Sequence, residues 1–167
     1  MFIEITKYAK IMYEKDFLYG LNGSISTRFE DNSFIINKNL IYSEENNFFT
    51  KLLLNENYKY KDACKMAKLH SLIYNNFAQA KVIAIVCSKE ILSICKRSKL
   101  TYKNKDFFVE SNDILNNNKA LLEKLNKNNL NFLLIRNLGL IIFERDFNTL
   151  FARIFDIDLE AKISCIN

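Results

Sequence analysis

The run Val82-Ile83-Ala84-Ile85-Val86 constrains the architecture more than any other part of the chain. Four of its five residues are β-branched, and none of them is polar. β-Branched side chains favour the extended backbone, and a run this short suits a strand better than a helix. With no polar face to turn toward water, such a strand must be covered on both sides. Phe132–Ile135 and Leu140–Phe143 read the same way, pinched apart by Asn137-Leu138-Gly139. Several strands buried on both faces require helices above and below one sheet.

The rest of the chain supplies those helices. Phe2, Ile5, Ala9, Met12 and Phe17 recur near one face at helical spacing, which predicts a helix over 2–18 stopping before Gly20. Ser24–Phe29 and Ser33–Ile36 read as a hairpin around Glu30-Asp31-Asn32, residues suited to a tight turn. Helices are expected over 48–54, 62–75, 90–97 and 114–125, with extended pieces near 100–102 and 107–110. A last helix starts at Asp146, a side chain able to cap it, with Phe147, Leu150, Ile154, Ile157 and Ala161 facing inward. The expected fold is a three-layer α/β/α domain with a mixed, largely antiparallel central sheet, one domain over residues 1–167.

Composition excludes several classes. No stretch of about eighteen apolar residues exists, so no transmembrane helix is expected. Met1-Phe2-Ile3-Glu4-Ile5-Thr6-Lys7 lacks the uniform apolarity of a secretion signal, and the cytoplasm is the expected location. Cys64, Cys87, Cys95 and Cys165 show no Cys-x-x-Cys spacing and read as buried thiols. The net charge of +5 is modest. Lys96, Arg97, Lys99, Lys103 and Lys105 cluster around Tyr102, yet cations at a helix end explain them more simply than nucleic-acid binding. Gly20, Gly23 and Gly139 are the chain's three glycines, too few for a dinucleotide loop or a P-loop.

Three stretches carry a family pattern. They are Gly23-Ser24-Ile25-Ser26-Thr27-Arg28, the strand running into Cys87-Ser88-Lys89, and Leu133-Leu134-Ile135-Arg136-Asn137-Leu138-Gly139. Their order and spacing resemble the class II aldolase/adducin family, typified by the L-fuculose-phosphate aldolases, across nearly the whole chain. The resemblance implies a zinc ion held by a His-x-His pair after a buried strand and by a later Asn-His-Gly histidine. Those three positions hold Cys87, Lys89 and Leu138. It also implies a glutamate base four residues before a helical histidine; with His70 as that histidine, the position holds Met66. A lysine ammonium repels a cation, leucine offers no donor, and a thioether cannot abstract a proton.

The family's phosphate cradle pairs a Ser-Gly-Asn-x-Ser-x-Arg turn with a Thr-x-Ser-Gly turn and two serines. Small residues there let backbone N–H groups approach an anion. The matching residues are Gly23, Ser24, Ser26 and Arg28, then Asn37, Lys38 and Asn39, then Cys64 and Lys65. His70 is expected to be a framework histidine inside the fold, beside the Val82–Val86 strand. Cys87 at a strand end, near Lys89, could also be a nucleophile, although an inert buried thiol is the simpler reading.

The chain is therefore expected to be a divergent member of this fold without metal-dependent catalysis, acting as a binding or assembly module, a role open to the fold as adducin's head domain implies. No cofactor is expected; zinc would return only in an altered site. The alternative is a divergent lyase cleaving a phosphorylated sugar such as L-fuculose phosphate. A small anionic or phosphorylated ligand is expected at Gly23, Ser24, Arg28, Asn37, Lys38 and Asn39, and a homo-oligomer, a tetramer before a dimer, as partner. Aromatic content of 13% and the pairs Phe48-Phe49 and Phe107-Phe108, one ring of each facing away from the core, point to subunit contacts.

Overall fold

A computed structural model describes residues 2–18, 23–43, 47–97, 108–109, 118–127 and 129–166. One seven-stranded sheet runs through it in the order β3-β2-β1-β4-β7-β6-β5. The strands are β1 Ser24–Glu30, β2 Ser33–Asn37, β3 Phe49–Leu53, β4 Val82–Val86, β5 Phe108–Val109, β6 Phe132–Ile135 and β7 Gly139–Glu144. Every neighbouring pair is antiparallel except β5 with β6, so the sheet is mixed and largely antiparallel. β4 lies at its centre, between β1 and β7, and all five of its residues are buried.

Alternation along each strand sends side chains to two separate cores. Val82, Ala84 and Val86 of β4 join Ile25, Ile35, Leu134, Leu140 and Ile142 on one face. That face is covered by helices α1 (Phe2–Glu14), α3 (Lys89–Arg97) and α5 (Phe147–Ile166). Ile83 and Ile85 join Phe34, Ile36, Leu133, Ile135, Ile141 and Phe143 on the other, beneath α2 (Ala67–Asn76) and α4 (Asn118–Lys127). These are the three expected layers. Among the described residues, no helix is long and apolar enough to cross a membrane.

Three elements differ from the sequence reading. The first helix ends at Glu14, because Asp16 takes a positive φ of 57° and Phe17 N–H donates to Met12 O at 2.8 Å. That six-to-one bond closes the helix without a glycine; the expected stop at Gly20 lies outside the described residues. The segment 48–54 is a strand and not a helix. Its backbone pairs with β2 from Ser33↔Leu53 to Asn37↔Phe49, and this ladder outweighs a weak helical pattern. Both Phe48 and Phe49 are buried, with rings 5.1 Å apart and edge-to-face, so neither is free for a subunit contact. Phe48 precedes the strand, and strand alternation does not govern it.

The second helix begins at Ala67 rather than near Asp62, because Cys64 N–H is drawn to Asn37 O on β2 at 3.0 Å. The expected extended piece at 100–102, Phe107 of the second aromatic pair and residues 114–117 of the helix expected over 114–125 lie outside the described residues. The last helix starts as expected. Asp146 Oδ1 accepts from Thr149 N–H at 2.8 Å, and Oδ2 accepts from the Thr149 hydroxyl at 2.9 Å.

Candidate functional site

Two loops that are far apart in sequence meet where β4 ends. Gly139 opens β7 with a φ of +117°, and a Cβ there would stand 2.2 Å from Val86 O. With no side chain in the way, the turn before β7 lies directly against Cys87. The Cys87 thiol donates to Leu138 O at 3.0 Å. Two of the three family metal positions, Cys87 and Leu138, are thus brought together as a buried thiol on a backbone carbonyl. Lys89, the remaining one, is exposed at the first residue of α3.

Met66, at the family's base position, immediately precedes α2 and caps it with no side-chain bond. Met66 and Leu138 are half-buried and pack against the same apolar cluster that contains Cys87. Burial pushes the Cys87 thiol up to about 12, so the protonated, non-nucleophilic form dominates at neutral pH. Cys64 and Cys95 are likewise buried and raised to about 12. Iodoacetamide at pH 8 is therefore expected to leave Cys64, Cys87 and Cys95 unmodified until denaturant is added. Rapid native labelling of Cys87 would restore the nucleophile reading.

The cradle positions fold back on the protein's own backbone. Gly23 has a φ of +89°, and a Cβ there would sit 2.9 Å from Phe17 O. Ile25 N–H donates to Asn37 Oδ1 at 2.9 Å, and Lys38 N–H donates to Phe48 O at 2.8 Å. With the Cys64 N–H on Asn37 O, three backbone donors around the cradle already have internal acceptors. Lys38 Nζ pairs with Asp62 at 2.9 Å, while Asn39 is exposed. Gly23, Ser24, Asn37, Lys38 and Cys64 are gathered here.

Arg28 is not among them. It lies four residues beyond Ser24, about 13 Å along the strand. Its guanidinium stacks over the Tyr74 ring at 4.9 Å and donates to the Tyr74 carbonyl.

His70 is wholly buried on α2, as its apolar neighbours predict. Ser24 Oγ lies 2.7 Å from its Nε2, and Ser26 Oγ lies 2.6 Å from its Nδ1. Ser26 Oγ is also 2.7 Å from Tyr74 Oη. A neutral imidazole donates from one nitrogen and accepts at the other, and rotating hydroxyls satisfy either tautomer. Burial drives the His70 pKa down to about 3, so the ring is neutral. This network holds β1 to α2. Tyr74 was not singled out by sequence reasoning; the signal was its place one helical turn after His70.

Beside the cradle, Cys64 and Lys65 line an open groove of about 600 Å³. Lys59, Lys61 and Lys68 add to its positive wall, against Glu56, which pairs with Lys61 at 2.8 Å.

Comparison with known proteins agrees with this geometry. Residues 3–165 match the family described as the Class II Aldolase and Adducin N-terminal domain, and the chain belongs to that family. Among solved structures it is similar to YgbL from Escherichia coli, at 16% identity over 98% of this chain and 87% of that one, with a TM-score of 0.73. It is similar to the L-fuculose-1-phosphate aldolase of Thermus thermophilus, at 11% identity over 97% and 92% of the two chains, TM-score 0.74. An aldolase II superfamily protein from Pseudomonas syringae shares 13% identity over 96% of this chain and 72% of that one, TM-score 0.78. Comparison with curated proteins returns no significant match.

The residues present do not fit the zinc ion the family implies. A buried protonated thiol, an exposed ammonium and a leucine do not make the three-ligand set that zinc requires. Among the described residues, no three His, Cys, Asp or Glu side chains group closely enough to hold a metal ion.

Proposed function

We propose that this family member works without metal-dependent catalysis, as a binding and self-assembly module that takes a small anionic ligand. One observation carries the reading. The base position and two of the three metal positions form an apolar seam, with Met66 and Leu138 packed on the cluster that buries Cys87, while the third, Lys89, is exposed. A seam of this kind stabilises the fold and offers a substrate neither a proton acceptor nor a Lewis acid.

The ligand part of the reading rests on the groove. Lys59, Lys61, Lys65 and Lys68 surround it with one acid, Glu56, among them, a balance that favours phosphate or carboxylate groups. Its volume of about 600 Å³ is within the range of small-molecule sites. For assembly, the family resemblance implies a ring of four subunits.

Two measurements on the purified protein test this. Elemental analysis is expected to return far less than one zinc per chain, and incubation with L-fuculose 1-phosphate is expected to release no aldehyde product above background. One chelatable zinc per chain, or turnover of that sugar phosphate, would establish the lyase alternative instead.

A further inference from the structure

The groove beside the cradle is built from one short stretch, Glu56 to Lys68, and its polar groups are of two kinds. Those of the first kind are already committed close by. Glu56 Oε1 accepts from Leu53 N–H at 2.9 Å and Oε2 pairs with Lys61 Nζ at 2.8 Å, so both carboxylate oxygens are met. Asn57 Oδ1 accepts from Lys59 N–H at 3.0 Å, and the Tyr58 hydroxyl donates to Leu53 O at 2.7 Å. These bonds fix the wall. The second kind is cationic. Lys65 and Lys68 are exposed and form no ion pair among the described residues. They stand three residues apart across the start of α2, the spacing of side chains that share a face.

Charge then points to the ligand. Four lysines stand around the groove against one glutamate, a net +3. A phosphate monoester carries about −1.5 to −2 at neutral pH, which leaves part of that charge unmatched. A second phosphate group supplies the rest. The groove's volume of about 600 Å³ exceeds what one phosphate fills, and the Tyr58 ring and Ala63 give room for an organic part.

We infer that this groove takes a diphosphate group, held by lysine side chains in place of the family's backbone cradle. The inference rests on the anionic-ligand reading above and names its ligand class. The cradle's own donors are turned inward, with Ile25 N–H on Asn37 Oδ1, Lys38 N–H on Phe48 O and Cys64 N–H on Asn37 O. Lys65 stands where the family has a cradle serine, and it puts a charge on a long stem into the groove wall. A lysine ammonium is a compact charge on a flexible stem, without the planar fork of arginine. A wall of lysines therefore selects by charge before shape.

Isothermal titration calorimetry on the full chain in phosphate-free, low-salt buffer tests this with orthophosphate, pyrophosphate and adenosine diphosphate. Pyrophosphate is expected to bind about tenfold tighter than orthophosphate or better, the worth of one more charged hydrogen bond. Adenosine diphosphate tighter than pyrophosphate identifies an organic diphosphate as the ligand; the reverse order identifies pyrophosphate itself. The double variant Lys65→Gln, Lys68→Gln should weaken pyrophosphate about tenfold or more with circular dichroism unchanged, since both side chains are exposed. Lys65→Arg, Lys68→Arg should keep most of the affinity. Orthophosphate bound as tightly as pyrophosphate would overturn the diphosphate class and leave the broader anionic reading standing. Pyrophosphate affinity unchanged by the double glutamine variant would place the anion elsewhere and overturn the inference. No binding of any of the three at millimolar concentration would sink the inference and the anionic reading together. The zinc and sugar-phosphate measurements are independent of all these results, so the loss of catalysis is judged apart.

Discussion

Gly139→Ala is expected to be the most damaging single-methyl change in the chain. The added Cβ would sit 2.2 Å from Val86 O and 3.2 Å from Val86 C, in backbone of the central strand, at a φ of +117°. Val86 is held by its pairing with Leu140, so the clash cannot be relieved by turning a side chain. Backbone strain and overpacking each cost up to about 3 kcal/mol, giving a combined loss of about 4 kcal/mol. With a urea slope of about 2 kcal/mol per molar, the unfolding midpoint should fall by about 2 M. Gly23→Ala meets Phe17 O at 2.9 Å and the movable Leu18 Cδ2 at 3.1 Å, and should lose roughly half as much. Equal midpoints for wild type and Gly139→Ala would sink the account.

That result bears on how the third family motif is understood. In a catalytic relative the glycine after the last ligand could be ascribed to metal geometry. Here Leu138 offers no ligand, yet Gly139 is still required, because β7 must cross within contact of Val86 and Cys87. The motif is held by packing alone. The same holds at Gly23, pressed on Phe17 O and Ile85 O. A recognisable cradle sequence is therefore weak evidence of a working cradle. Its backbone donors can be turned inward, as Ile25 N–H is toward Asn37.

Much of the fold was legible because its signals are local. Val82–Val86 and Phe132–Ile135 are strands at their expected bounds, since runs of apolar residues bounded by polar ones admit few alternatives. The Asp146 cap was legible from one side chain before an apolar pattern. The strand β3 was not, because Phe49-Thr50-Lys51-Leu52-Leu53 buries only Phe49 and Leu52, a spacing that suits a helix as well as an edge strand. The arrest of α2 at Ala67 was not legible either, since it depends on a bond from Cys64 to Asn37, distant in sequence. In the site, the identities of Cys87, Lys89, Leu138 and Met66 could be read directly. What Ser24, Ser26 and Arg28 do could not, because their partners on α2 lie 44 to 48 residues away.

The buried network makes a pH prediction that this sequence isolates cleanly, because His70 is its single histidine. In the unfolded chain His70 titrates near its ordinary 6.5, whereas in the folded protein burial holds it down to about 3. Between these values the unfolded state binds a proton that the native state refuses. Stability is thus complete above about pH 6.5, falls as pH drops toward 3, and changes no further from this group below that. The slope approaches about 1.4 kcal/mol per pH unit, so moving from pH 7.5 to pH 5 should cost about 2 kcal/mol. Glu30, Glu56 and Asp146 have carboxyls held below their ordinary values, so they titrate beneath this window and do not blur it. His70→Gln should be less stable than wild type at pH 7, because an amide cannot span Ser24 and Ser26 as the ring does. Its urea midpoint should nevertheless stay level between pH 7 and pH 5, while the wild-type midpoint declines. A wild-type midpoint equally level across that range would mean that His70 accepts a proton inside the fold, and the neutral Ser24–His70–Ser26 bridge would be wrong.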